Sequence, residues 1–509
     1  MSNPATDQPR GSTLAAAVGQ PPQAAQARGS GGTEAESGLW TDRWHLVRRS
    51  VAVLKRQGAG AVGQKAGRKV ASAVNKRYQA WRLSRRAWVQ DQRPVFLQIC
   101  HAWGGGTQKH VNELMARLRA EQVRPILLTP DRQGKLLWQE FDSVGRLIWC
   151  RRTGPDAASI DRLLALIQPR HTHIHHLIEL PAMLLDRLAA QGLTPDWTIH
   201  DYHAICPRIN LCQPDGGYCG EPGPDGCQSC LATHGNFFGQ PFTGTIEHWR
   251  EVHLARLKGA RRVFVPSQDV ARRYERYMPG LPLAVRPHFE DLPSPSAPLA
   301  EIRQQGAPVR VAVIGALTQA KGSDVLLACA QDARERGLNL EFHVIGSTDL
   351  DRDLVRLGNV EVLGPYREAD VFSHLKQAGC HLAFLPSVWP ETFMFTLSVA
   401  LSAGFYTCCF DLGAQADRLK SHGYGQVLPL ASTPAEMNNA LIQAADLLVR
   451  TQAQAPDYVR VTYPSILRDY YDFSPAQVAA LGVPAAAGTR AITPPHLSSG
   501  GRNHHARLH

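Results

Sequence analysis

From residue 94 onward, short apolar runs alternate with amphipathic stretches. Residues 95–100 (VFLQIC) make a run of strand length, followed by Gly104, Gly105 and Gly106. Val111, Leu114, Met115 and Leu118 then recur at i, i+3, i+4 and i+7, which places them on one face of a helix predicted from Thr107. Further strand-like runs cover residues 125–129, 173–178, 197–200 and 262–265. Helical stretches at 182–191 and 246–258 each end at a glycine. A second set begins at Val309, with VRVAVI, LEFHVIG, NVEVLG, HLAFL and FYTCCF as strands and helices predicted after Lys321 and Glu391. Such alternation implies a parallel sheet covered on both faces. The pattern therefore predicts an α/β chain of two Rossmann-like domains facing across a cleft. Their predicted bounds are 94–285 and 309–478, with a proline-rich linker at 286–308 and an Ala/Gly/Pro/His-rich tail at 479–509.

Length and composition agree. At 509 residues the chain exceeds what one core serves. It contains no run of about 18 apolar residues, so no membrane-spanning helix is expected. The opening MSNPATDQPRGSTLAAAVGQPPQ lacks a charged stretch followed by an apolar one, so no secretory signal is expected and the predicted location is cytoplasmic. In a reducing compartment, eleven cysteines favour thiols or metal ligation over disulfides.

Charge adds one feature. The net charge is +11, yet the 14 Lys and Arg against two Asp between Asp42 and Arg93 exceed that total alone. Residues 1–38 are low in complexity and 39–92 mix basic residues with Trp, Leu and Val, so residues 1–93 read as a disordered basic leader. Each exposed cation near an anionic membrane contributes about 1 kcal/mol, which makes the inner membrane face one candidate partner. A solvated leader without a partner is the other reading. Nucleic acid is not expected, because no binding module accompanies the basic stretch.

Candidate chemistry sits at the predicted strand ends, where open parallel sheets bind ligands. Gly104–Gly106 open a helix, where free N–H groups favour phosphate; a tight turn is the simpler reading. Gly315 holds the matching place in the second domain, and Lys321 precedes the next helix. There the lysine either neutralises a departing diphosphate or is a surface cation. In LPSVWPETFMFTLSVALSAG (385–404), Glu391 either caps a helix or aims a carboxylate into the cleft. Neither domain shows G-x-G-x-x-G at its first turn, which disfavours a dinucleotide oxidoreductase.

Taken in order, HAWGGGTQKHVNEL, TIHDYHAICPRINL, VPS at 265–267, VIGALTQAKGSDVLL and PSVWPETFMFTLSVALSAG resemble the retaining, nucleotide-sugar-dependent glycosyltransferases of the GT-B fold, family 4, over roughly residues 94–450. Within that family the chain is similar to a bacterial branch tied to surface-polysaccharide assembly. The resemblance implies transfer of a sugar from a nucleotide-sugar donor to a glycan or lipid-linked glycan, with retention and without a catalytic metal. It implies that Gly105 and Gly106 approach the donor diphosphate, His200 reaches the donor sugar, Lys321 binds the diphosphate and Glu391 binds sugar hydroxyls. Gly315, Thr392 and Phe393 complete the donor-binding set. Two positions depart from the family: Ala316 replaces a common arginine, and Val399 replaces a second glutamate that contacts the donor ribose. Losing that hydrogen bond weakens donor binding by about 1–3 kcal/mol. A catalytically impaired scaffold in a polysaccharide assembly complex is the competing expectation.

Two clusters invite metal readings. In the insert 203–235, Cys227 and Cys230 form C-x-x-C, and Cys206 and Cys219 are the expected second pair of a structural zinc site. Cys212 and His234 are substitutes, and free thiols in a self-packed loop are the alternative. In HTHIHHL (171–177), His171, His173 and His175 would share one face of a strand, with His176 opposite. A buried strand is the favoured reading there, with His175 or His176 touching the acceptor.

Overall fold

The computed structural model describes residues 86–291 and 295–483. Most of the basic leader, and with it the membrane-surface expectation, lies outside the described residues. Arg86–Arg93 belong to the first domain rather than to a leader. Trp88 packs edge-on against Trp149 at 4.8 Å, and the Arg124 guanidinium lies 3.7 Å over the Trp88 ring.

The first sheet has the order β4-β3-β2-β1-β5-β6-β7-β8. Its strands are β1 Val95–Ile99, β2 Arg124–Pro130, β3 Leu136–Phe141, β4 Leu147–Thr153, β5 His171–Ile174, β6 Asp196–Thr198, β7 Arg262–Val265 and β8 Leu283–Val285. All neighbours pair in parallel except β2–β3–β4, an antiparallel meander that the apolar pattern did not predict. Every residue of β1 is buried, which is why it reads as a continuous apolar run rather than an alternating one. The helices here are α1 Gly105–Ala120, α2 Ala157–Ile167, α3 Leu184–Ala190, α4 Pro224–His234, α5 Ile246–Lys258 and α6 Gln268–Tyr277. The stripe Val111, Leu114, Met115 and Leu118 is buried as predicted, and His110 is buried beside it.

The second sheet is parallel throughout, in the order β11-β10-β9-β12-β13-β14. Its strands are β9 Val309–Leu317, β10 Leu340–Thr348, β11 Val360–Val362, β12 Leu382–Leu385, β13 Tyr406–Phe410 and β14 Gly425–Leu428. The helices α7 Ser323–Glu335, α8 Asp351–Arg356, α9 Val371–Ala378, α10 Phe395–Ser402, α11 Gly413–His422 and α12 Pro434–Thr451 surround it. Separate cores form on its two faces, one around Val311, Val313, Phe342 and Phe384, the other around Ile314, Leu385, Leu397 and Phe405. The chain is thus an α/β protein of two Rossmann-like domains.

The segment after α12, which the pattern placed in the second domain, returns to the first. Ile466, Leu467, Tyr470, Tyr471 and Phe473 pack on Phe96, Leu114, Leu118, Phe264 and Phe289. Fully burying each such side chain stabilises by about 1.5–3 kcal/mol, enough to direct the return. The final helix, α13 Pro475–Ala480, runs past the predicted start of the tail. Among the described residues, no helix is long and apolar enough to cross a membrane.

Candidate functional site

The carboxyl ends of the two sheets meet at a shared cleft. On the first domain, Gly104 and Gly105 follow β1 with φ of 85° and 74°, a left-handed conformation that favours glycine. A side chain at Gly105 would meet open space, whereas a Cβ at Gly106 would sit 3.5 Å from the Phe395 ring. The glycine turn therefore touches the start of α10 across the cleft.

On the second domain, two loops are stitched together. The turn Gln319–Lys321 follows β9, and Ala320 O accepts hydrogen bonds from Val388 N–H at 3.0 Å and Ser387 Oγ at 3.4 Å. Gly322 has φ of 84°, and a Cβ there would lie 2.0 Å from Pro386 O, so only glycine lets the loops close. Lys321 is exposed at this seam. Gly315, at φ 119°, would place a Cβ 3.0 Å from Thr396 Cγ2.

Glu391 is buried, and its Oε1 accepts from Trp389 Nε1 at 2.9 Å and Ser387 Oγ at 3.3 Å. Both hydrogen bonds fall on one carboxylate oxygen. Helix α10 begins four residues later, at Phe395, so Glu391 does not cap it. Arg418 secures the intervening turn by donating to Phe393 O at 2.6 Å and Met394 O at 3.1 Å. The Thr392 hydroxyl donates across the cleft to His200 O at 2.9 Å. Phe393 is buried beneath the Arg418 guanidinium, 4.1 Å from its ring centroid.

His200 lies just past β6 rather than within a strand, and His175 and His176 lie just past β5. β5 stops at Ile174, one residue short of His175, but the His175 ring stacks on that of His173 at 4.2 Å, so the two share a face as expected. His175 Nδ1 lies 3.1 Å from His200 Nε2, and His175 Nε2 lies 3.0 Å from Gln98 Oε1. His176 Nε2 pairs with Asp201 at 3.2 Å, and its Nδ1 accepts from Ile178 N–H at 3.0 Å. Both ring nitrogens of each are therefore engaged, leaving neither free for an acceptor. Burial holds His173, His175, His200 and His288 well below the ordinary imidazole range and pushes His110 down to about 3. His200 is thus a neutral imidazole, a hydrogen-bonding group rather than a cation.

Among the described residues, the single group of three or more potential metal-ligand atoms within 4.8 Å of one another is His110, His175 and His200. The His175–His200 hydrogen bond accounts for two of these rings, while Nδ1 of His110 is buried without a partner. The expected zinc quartet Cys206, Cys219, Cys227 and Cys230 does not close to that tightness, and the cysteines, including Cys212, are free thiols. Burial raises Cys206 to about 12 and Cys219 to about 11. The insert is no structureless loop, since α4 carries Cys227 and Cys230 and ends at His234. It leans on the lysine turn, where a Cβ at Gly216 would lie 2.2 Å from Gln319 Cγ.

Sequence reasoning missed several neighbours of the site. Arg418 Nη2 also donates to Glu290 Oε1 at 2.8 Å, which accepts from Tyr458 OH at 2.7 Å, tying α11 to the linker and the returning segment. His110 and His288 were invisible as site residues because each stands among other polar positions, in TQKHVNE and RPHFED, where nothing local marks it for burial. Both departures from the family pattern persist: Val399 is buried in the core, and Ala316 is exposed at the end of β9.

Two α/β domains thus gather glycine turns, a lysine and a buried carboxylate at the ends of their strands, where they meet. Residues 308–446, most of the second domain, match the family model described as Glycosyl transferases group 1. No curated protein sequence matches the chain. Among solved structures, the chain is similar to Anabaena HepE in complex with UDP and glucose, at 14% identity over 71% of this chain and 91% of that chain, with a TM-score of 0.46. It is also similar to sucrose-phosphate synthase from Thermosynechococcus elongatus, at 14% identity over 71% and 91%, with a TM-score of 0.49. A third is the pneumococcal O-GlcNAc transferase GtfA in complex with UDP and GlcNAc, at 9% identity over 71% and 93%, with a TM-score of 0.44.

Proposed function

We propose that the protein is a retaining glycosyltransferase that moves a sugar from a nucleotide-sugar donor to a glycan or lipid-linked glycan, at the cytoplasmic face of a membrane that its basic leader approaches. The observation that carries this reading is the stitched pair of loops that holds Lys321 and Glu391 on one wall of the cleft, opposite Gly105 and Gly106. As the bond to the diphosphate breaks, negative charge grows on the leaving group. Lys321 and the free N–H groups at the start of α1 stabilise that charge. Glu391, with Oε1 already fixed by Trp389 and Ser387, offers Oε2 to a sugar hydroxyl. His200 presents a neutral imidazole beside the reacting carbon, where positive charge develops as in other glycosidic chemistry. The acceptor attacks the face the diphosphate leaves, so no enzymic nucleophile is assigned.

Val399 and Ala316 favour the competing scaffold, because neither supplies the polar contact that the family places there. A thermal-shift screen of UDP, GDP, ADP and TDP sugars separates the two. A donor at a hundredfold its dissociation constant stabilises the folded chain by about 2.7 kcal/mol. Turnover of that donor, lost in Glu391→Ala, is the result expected of an enzyme. Donor binding without any turnover would leave the scaffold standing.

A further inference from the structure

Three aromatic rings stand exposed at the mouth of the cleft. Trp103, Phe237 and Phe238 are 41%, 47% and 50% exposed. Trp103 runs near parallel to Phe237 at 6.1 Å between centroids and meets Phe238 edge-on at 5.4 Å. Leaving such rings in water forgoes hydrophobic stabilisation, and contiguous exposed apolar patches mark binding sites.

The rings are held rigidly. Asn236 N–H donates to Gln240 O at 2.9 Å, and Asn236 Oδ1 accepts from the backbone N–H of Phe238 at 2.9 Å and of Gln240 at 3.1 Å. Gly235 has φ of 68°, and a Cβ there would lie 2.2 Å from Gln240 O, so the turn presenting both phenyl rings closes only over glycine. One face of Trp103 stacks on His101 at 4.8 Å, and its indole N–H donates to Glu179 at 3.3 Å. The rings therefore come from the β1 loop and the cysteine-rich insert, with a carboxylate from the loop after β5 beside them. Trp103 is also the residue that precedes the glycine triplet.

The polar frame selects the ligand. A lipid surface calls for cations around the rings, yet the groups that contact Trp103 are the Glu179 carboxylate and the His101 imidazole, which burial pushes down to about 4. Flat apolar faces bordered by hydrogen-bonding groups suit a sugar ring, which is apolar across its C–H faces and polar at its hydroxyl edge. We propose that Trp103, Phe237 and Phe238 form the platform on which a sugar ring of the acceptor stacks, with Glu179 accepting one of its hydroxyls. This rests on the glycosyl-transfer reading and gives that reading its acceptor side.

The test uses the full chain on an array of bacterial oligosaccharides, comparing wild type with Trp103→Ala, Phe238→Ala and Trp103→Phe. Donor-sugar thermal shifts are read on the same preparations. Glycan retention should fall about two- to tenfold for each alanine and largely survive in Trp103→Phe, with donor shifts unchanged in all three. Retention indifferent to the rings, or absent in wild type, overturns the platform. So does flotation on phosphatidylglycerol vesicles that depends on Trp103 and Phe238, because the rings would then face a membrane. Glycan retention through the rings in a chain that shifts with no donor would sink the transfer reading and leave the platform intact.

Discussion

The two walls of the cleft are built by different means. The second domain fixes its wall through backbone packing: Gly322 against Pro386 O, Gly346 against Gly315 O, and Gly413 against Pro390. The first domain fixes its wall through side chains, a buried set of histidines beside an aromatic platform carried partly on an insert. On the proposed reading, the wall assigned to the donor is the one built on backbone paths with no room for a Cβ, and the wall assigned to the acceptor is the one built on side chains.

The sharpest way to break this comparison is to crowd the second wall. A Cβ at Gly346 would lie 1.9 Å from Gly315 O at φ 144°, a backbone clash that no rotamer relieves. Gly346→Ala should cost about 2–4 kcal/mol in urea unfolding, combining overpacking with backbone strain. Gly105→Ala, where a Cβ meets open space, should cost about 1 kcal/mol while weakening donor binding. Equal losses at the two glycines would erase the distinction.

Acid should act chiefly on the other wall, where the depressed histidines cluster, with His381 beside β12 the counterpart in the second domain. His101 and His253 are pushed down to about 4 and His110 to about 3 by burial, from 6.5 in the unfolded chain. Their folded values are depressed, so below pH 6.5 the unfolded chain binds more protons and stability drains as pH falls toward the folded values. Each should forfeit on the order of 1–2 kcal/mol by about pH 5. Hydrogen exchange at pH 7 and pH 5 should show protection lost first around β1, β5 and β6. Loss spread evenly over both sheets would contradict a histidine-centred origin.

Lys321→Ala should lower donor turnover about 10²–10³-fold if the lysine meets the leaving diphosphate. Because the side chain is exposed, unfolding free energy should move by no more than about 0.5 kcal/mol. A large stability loss with little kinetic effect would reduce Lys321 to a structural residue of the turn.

Much of this architecture was legible from residue order. The α1 stripe, most strands of both domains and the Lys321 and Glu391 loops all rest on local periodicity or on short motifs whose glycines have steric reasons. The missed features depend on distant partners. Nothing local in Tyr470-Tyr471-Asp472-Phe473 says that it will cover Phe96 and Phe264 in the other domain. The β3–β4 hairpin alternates buried and half-buried residues too weakly to stand out from a loop. The platform was hidden because Trp103 and Phe237 are 134 positions apart and meet only through the fold.

The smallest predicted effect probes where the walls touch. Thr392 Oγ1 donates to His200 O, so one hydroxyl of the second domain is bonded to the backbone that carries the first domain's key imidazole. Thr392→Val keeps the shape and removes the donor, leaving His200 O unpaired at a buried site. The expected cost is about 1 kcal/mol, within the range for a single neutral hydrogen bond. If the contact also positions His200, the variant should lose turnover at saturating donor in excess of any change in donor affinity. A change confined to stability would mean that the hydrogen bond holds the domains together without setting the imidazole. The acceptor wall would then be positioned by its own histidine contacts, His175 foremost.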